Sequence, residues 1–459
     1  MYSLDLREYV KLFTAYTELR AQENRNVRIT FVKGNNTHNS RSSTSGISAR
    51  VYSNGSWGFA SNPEITEDAV KLAIEAATDN ALFLDSRERK GKGQLPVAIA
   101  SSVNDYSTRK PRLGQKELVE FARELDNHIA LKYPDLASRI IGVNCLDMEK
   151  TLLTSDGSYS HSMVPRSIIY VVLSLVKDGV PTELSDVYGG FGQFEDVFTS
   201  PSQLFDGIET QYEHLVRKSQ GVFPDAGLRT CVLDAELAGI LAHEAIGHTT
   251  EADIVMSGSV AAGKVGEEVA SPLVTLIDFA NLFGDETCPV PIYVDDEGTK
   301  AEDAVIIENG ILKGYMHNKE SARHLGVLPT GNARAYQFSD EPLIRMRNTA
   351  ILPGTDTLND IIASIDDGYY LIRPSNGQAD STSEFMFGVT LGYEIKNGKI
   401  GKAIRDTTIS GVAFDMLKTV TMVSPDMKWL SSGMCGKKQP IPVGMGGPAI
   451  KCKVTIGGR

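Results

Sequence analysis

Ala238-Gly239-Ile240-Leu241-Ala242-His243-Glu244-Ala245-Ile246-Gly247-His248 is the stretch on which the reading of this chain turns. An apolar run of small residues leads straight into two imidazoles and a carboxylate, and the acids Glu251 and Asp253 follow at once. Such a run reads as a buried helix, and a buried helix has little reason to carry His-Glu-His unpaired. Neutral imidazole is a common zinc ligand, and a hydrolytic site keeps one coordination position open for water. A carboxylate beside a ligand can take the proton from that water. His243 and His248 are therefore candidate metal ligands, and Glu244 is the candidate general base.

The spacing is unusual. Histidines five apart diverge by about 140° on an ideal α-helix, so an undistorted helix cannot turn both rings to one ion. Either the helix stops near Gly247 and His248 swings back from a turn, or one i→i+5 π-bulge brings the rings into line. Gly247 is the permissive residue in the right place.

A three-ligand site needs one more donor. The chain offers Glu251, Asp253 and five cysteines, at positions 145, 231, 288, 435 and 452. Cys435 is the best of these, because glycines flank it in Ser432-Gly433-Met434-Cys435-Gly436-Lys437 and the lysine could favour its thiolate. Cys145 and Cys452 alternate with apolar neighbours and read as strand residues.

Further segments fall in order along the chain: Gly55 to Ala60, His243 to Asp253, Asp295 to Thr299, Ile307 to Gly314, Thr330 to Asn332 with Arg334, Arg345 to Pro353, and Met434 to Lys437. With these the chain resembles the TldD/PmbA family of metalloproteases, and its TldD-type members in particular, over nearly its whole length. The resemblance implies His243, His248 and Cys435 as metal ligands, Glu244 as base, and one Zn2+ per chain. It also implies small or unfolded polypeptides as substrates, including precursor peptides that lose a leader, and a homodimer or a heterodimer with a PmbA-type subunit. Thr249-Thr250 departs from the family pattern, which has glycine and an aliphatic residue there; the departure bears on subfamily and substrate.

Composition agrees. At 459 residues and 41% hydrophobic content, the chain is long enough for two or three domains with real cores. Five cysteines without an even, closely spaced framework suit reduced thiols in a cytoplasmic compartment. No basic, apolar leader opens the sequence and no apolar run approaches 18 residues, which predicts neither secretion by that route nor a membrane span. A formal net charge of -12 lacks the basic footprint of nucleic-acid binding.

The pattern predicts an α+β fold. In residues 1–222, one-sided helices (Ala69 to Ala76 after an N-cap at Thr66; Leu118 to Ile129; Ser202 to Arg217) pack on antiparallel sheet. Its strands are Val27 to Val32, Ile47 to Tyr52, Ile140 to Cys145 and Ile168 to Val176, with turns at Asp156-Gly157 and Asp178-Gly179. Gly221, Pro224 and Gly227 mark the junction to a β-rich catalytic domain, 223–459, which carries the metal helix, turns at Asn309-Gly310 and Asn397-Gly398, and a glycine-rich tail at Val443 to Gly447. The first domain is expected to serve peptide binding or dimer formation.

Other motifs carry less. Gly258 to Lys264 fits a phosphate loop, but Val265 stands where a magnesium-binding hydroxyl belongs. Ser40 to Ser45 reads as a solvated loop, Ser257 to Ser271 as a lid, an edge strand or a surface loop, and His317 and His324 as an exposed or hinge segment. Arg345, Arg347 and Asn348 read either as groups that orient a peptide or as a surface strand. The function expected is a zinc peptidase; the alternative is a peptide-binding regulatory scaffold whose metal is structural, with Glu251 or Asp253 closing the shell.

Overall fold

A computed structural model describes residues 4–88, 91 and 93–457. Long alternating runs build the first half. β1 (Tyr16–Val32), β2 (Asn35–Ser53) and β3 (Ser56–Asn62) are consecutive antiparallel strands, followed by α1 (Glu67–Glu88), β4 (Ser101–Asp105) and α2 (Gln115–Lys132). Then come β5 (Ser138–Thr154), β6 (Tyr159–Lys177), β7 (Val180–Phe191), α3 (Phe194–Val197) and α4 (Phe205–Ser219). The sheet order is β3-β2-β1-β5-β6, with β4 parallel and β7 antiparallel to different parts of β6. Thr66 caps α1 as expected, its hydroxyl accepting from the Ala69 N–H at 3.2 Å.

The helices bury their apolar stripes on this sheet. Val70, Ala73, Ile74 and Ala77 of α1 meet Leu19, Ile47, Ala49 and Val51. A Cβ at Gly58 would lie 2.1 Å from the Ala77 carbonyl, so only glycine lets α1 rest directly on β3. Leu118, Leu125, Ile129, Ile208 and Leu215 of α2 and α4 pack on Phe31, Ile141, Val143, Ile169 and Val171. Truncating one of these, Leu125→Ala for example, is of the class that costs about 2–5 kcal/mol.

The run Ser40 to Ser45 is not a loop. It is the outer part of β2, registered from Ser40 opposite Arg28 to Ser45 opposite Glu23. Its side chains are mostly exposed, so no hydrophobic alternation marks it, and the pairing with β1 makes it a strand.

In the second half, β8 (Gly227–Leu233) belongs to a closed ring of strands: Asp367–Ala379, β8, Ile450–Ile456, Thr407–Val412 and Glu384–Lys396, the last pairing again with the first. A six-stranded sheet stands beside it, in the order Ile311–Leu312, Ala304–Glu308, Leu276–Phe279, Asn348–Ile351, Gly444–Gly447 and Lys428–Leu430. Both expected turns are present, with Asn309 and Gly310 at φ 49° and 84° and Asn397 and Gly398 at 51° and 71°. The glycine-rich tail is a buried strand. α5 (Ala235–Leu241) lies on it so closely that a Cβ at Gly239 would come within 3.0 Å of the Gly446 nitrogen.

The two halves share packing and charge. Leu391, Tyr393 and Ala403 join the core of the first sheet. Arg50 lies 2.8 Å from Glu297 and 3.2 Å from Glu18, and Lys150 lies 2.7 Å from Asp296. The segment 257–271 is largely exposed turns held at two places: Ala261, Val269 and Ala270 are buried in the second core, and Glu268 bridges Ile311 antiparallel at the edge of the six-stranded sheet.

Candidate metal centre

α5 runs directly into Ala242–Gly247, where the backbone opens into a π turn. The His248 N–H bonds to the carbonyl of His243, five residues back. A 3-10 turn, His248–Thr250, follows. Of the two routes open to the sequence, the chain takes the bulge, and the rings come to 5.2 Å between centroids at 77°. Gly247 matters for a reason other than the expected one. Its backbone is ordinary right-handed helix, φ -56° and ψ -53°, but a Cβ there would lie 2.0 Å from the Met346 sulfur. Glycine here serves close packing against Met346 and not backbone freedom.

The Thr249-Thr250 departure has a local use. The Thr249 hydroxyl donates to the Ile246 carbonyl at 2.9 Å, and the Thr250 hydroxyl to those of Ile246 and Gly247, both at 3.0 Å. These carbonyls end the helical stretch, where intrahelical partners run out.

Cys435 arrives on a two-residue hairpin, Met434–Cys435 against Ile441–Pro442. Two arginines hold that hairpin by its carbonyls. Arg345 donates to Cys435 and Gln439, each at 2.8 Å, and Arg166 to Gly433 at 2.9 Å. Arg345 and Arg347 are thus neither surface residues nor free to orient a peptide. Both are fully buried, and Arg347 pairs with Asp278 at 2.9 Å. The signal that could have shown this is the apolar company of Ile344, Met346, Ala350 and Ile351, which reads as a strand covered on both faces. His317 is buried as well, its Nδ1 3.1 Å from the Ser321 hydroxyl, while His324 is exposed on a short helix.

The result is one cluster. Donor atoms of His243, His248 and Cys435 all lie within 4.8 Å of one another, with Cys435 Sγ 3.4 Å from His248 Nε2. Burial alone would raise the Cys435 thiol, yet the two imidazoles beside it hold it down at about 3. Burial likewise opposes charge on His248, but Glu251 and Cys435 raise it to about 10. Glu244 borders the group, its Oε2 3.6 Å from His248 Nε2, and the Glu244 and His248 side chains are 24% and 19% exposed.

His243 supplies the test of fit. Its ring is fully buried and neither nitrogen has a hydrogen-bond partner. Buried polar atoms are normally paired. Two imidazoles and a thiolate, with a partly open side at Glu244, suit a transition metal held by three protein donors. Glu251 and Asp253 are engaged by other groups. Glu251 faces His248 Nδ1 at 2.8 Å, and Asp253 receives Lys437 Nζ at 2.7 Å. Lys437 therefore serves these carboxylates, and not the thiolate as its position in the sequence suggested.

Residues 227–458 match the model of the PmbA/TldA metallopeptidase C-terminal domain, and residues 17–81 that of PmbA/TldA metallopeptidase domain 1. The chain belongs to the TldD/PmbA metalloprotease family. Among its family relatives are a zinc metalloprotease TldD homolog of Saccharolobus solfataricus, 31% identical over 90% of each chain, and a metalloprotease TldD homolog of Buchnera aphidicola, 42% identical over 90% of this chain and 86% of the other. Solved structures share the TldD/PmbA fold at lower identity. TldE from Thermococcus kodakarensis aligns with a TM-score of 0.73 at 20% identity, and a Thermotoga maritima protein described as a candidate modulator of a DNA gyrase with 0.78 at 19%, each over 98% of both chains.

Proposed function

We propose that this chain is a zinc-dependent peptidase, with His243, His248 and Cys435 holding one zinc ion and Glu244 acting as general base. The observation that carries this is the buried, partnerless His243 ring facing a thiolate and a second imidazole, with a carboxylate at the open side. Bound there, zinc supplies Lewis acidity that polarises a scissile carbonyl and acidifies water. Glu244 takes the proton from the attacking water and returns it to the leaving amine. The partial exposure of Glu244 gives water a route to that carboxylate.

The substrates proposed are small or unfolded polypeptides, leader-bearing precursors included, held as an added strand through main-chain contacts. Residues 1–222 would serve peptide binding and assembly, and residues 223–459 the chemistry. Dimers, of two copies or with a PmbA-type partner, would enclose the site; that a TldE protein shares the fold supports such a partner. Five unbridged cysteines support a reducing, cytoplasmic setting. Among the described residues no helix is long and apolar enough to cross a membrane.

Elemental analysis of purified protein tests the centre: about one zinc per chain is expected, largely lost in His243→Ala and Cys435→Ala. Full occupancy in Cys435→Ala would remove the cysteine from the shell. Substrate form is tested by digesting a destabilised protein beside its ligand-stabilised form, which differ only in unfolded population. Equal cleavage of the two would replace strand addition by side-chain pockets.

A further inference from the structure

Behind the donor atoms lies a buried carboxylate that the proposed chemistry does not use. Glu251 is fully buried, its Oε2 2.8 Å from His248 Nδ1 and 3.2 Å from Lys437 Nζ, and its Oε1 has no hydrogen-bond partner. A carboxylate so placed is costly unless it serves its neighbours. The path of the main chain does not need it. Met316 already ties this turn down, its N–H donating to the Thr250 carbonyl and its carbonyl accepting from the Ala252 N–H, both at 3.0 Å. What the carboxylate decides is the ring. By accepting from Nδ1–H it keeps a proton there and leaves Nε2, the atom that faces Cys435, as the donor.

Lys437 extends the same contact to the other ligand. It lies two residues beyond Cys435, and its ammonium bonds Glu251, both Asp253 oxygens (Oδ1 at 2.9 Å, Oδ2 at 2.7 Å) and the Ile344 carbonyl at 3.1 Å. Cys435 and His248 are 187 residues apart in the chain, so their relative placement rests on such ties between hairpin and helix.

We propose that Glu251 is a positioning residue that holds His248 in the orientation and tautomer required for metal binding through Nε2, and that Lys437 locks this carboxylate to the cysteine hairpin. The proposal rests on His243, His248 and Cys435 being the ligands.

Full-length wild type, His243→Ala, Glu251→Gln, Lys437→Met and the double variant, all stripped of metal, are titrated with Co2+. Affinity and the thiolate-to-cobalt absorption band are read together. Charge alone would make Glu251→Gln weaker and Lys437→Met tighter, whereas positioning makes both weaker. Glu251→Gln is expected to lose about 10–100-fold in affinity with a shifted band. Lys437→Met loses less, and the double variant is no weaker than Glu251→Gln, because the two residues act as one unit. Tighter binding by Lys437→Met, or Glu251→Gln within about threefold of wild type, overturns the proposal. Should Glu251→Gln fail to fold, Lys437→Met, which leaves the buried carboxylate in place, decides by the sign of its effect. Failure of the ligand assignment looks different: wild type and His243→Ala would then bind Co2+ equally, without the thiolate band.

Discussion

At the junction of the two halves, Arg50 sits between Glu18 and Glu297, Lys150 meets Asp296, and Lys319 meets Asp156 at 3.0 Å. At the metal centre, an equally buried ring has two nitrogens with no partner. Both are polar clusters withdrawn from water. In the first, each of these charges is answered by another from the chain itself, and Arg50 also stacks over Trp57 at 3.6 Å. Such a cluster closes on itself and fixes how the halves dock. The second is answered on one side only, by Glu251 behind His248, and its open donors converge on a point. Burial of polar groups is common to structural and functional sites; what marks the second cluster is a fully buried ring with neither nitrogen paired, beside a thiol and a second imidazole.

The comparison can be broken first at Glu244. Glu244→Gln should keep its zinc and its peptide affinity while losing on the order of 10²–10⁴-fold in turnover, the range of general-base catalysis. Wild-type turnover at equal metal content would sink the assignment.

The junction should respond in stability and not in metal content. Arg50→Met leaves Glu18 and Glu297 buried without their cation, which is expected to cost about 3–5 kcal/mol, measured by denaturant unfolding. A loss that vanishes when zinc is removed would mean that the two clusters are not independent.

The smallest effect is a count of protons. Burial disfavours the charged form at both groups, but their neighbours prevail, so the metal-free centre holds His248 up at about 10 and Cys435 down at about 3. A raised histidine stabilises the fold below its ordinary range, and that contribution fades as pH rises through about 10. A lowered thiol stabilises it above the ordinary thiol range, and that contribution fades as pH falls through about 3. Near pH 8 the thiolate is already formed and His248 carries the proton that a metal must displace. Zinc uptake followed by calorimetry in buffers of different ionisation enthalpy should therefore release about one proton. Release of two would show that Cys435 is a thiol before binding.

Much of this was legible in the sequence because its signals are local. The two Asn-Gly turns and the cap at Thr66 follow from backbone chemistry within a few residues. The five-residue histidine spacing already demanded a distorted helix, and a π turn is what the structure holds. The segments of family resemblance are harder to read, since most hold none of the clustered donors. Trp57 and Gly58 lie in Gly55 to Ala60 and serve Arg50 and α1, while Asp296 and Glu297 of Asp295 to Thr299 supply the junction. Ser40 to Ser45 reads as a loop because its exposed side chains hide a backbone paired with β1, and Arg345 reads as a surface residue because the carbonyls that bury it lie far along the chain.

What the sequence determined by itself is the chemistry available within one stretch of chain: two imidazoles, a carboxylate between them, and a spacing that an undistorted helix cannot use. What the tertiary structure alone decided is how the residues around that stretch are placed. Cys435 is brought in on a hairpin clamped by Arg345, Glu251 is turned behind His248, and the Met346 sulfur fills the space where a Cβ at position 247 would stand. Hydrogen bonding and steric repulsion act over a few ångströms, and distance along the chain does not report which residues the fold places within that range.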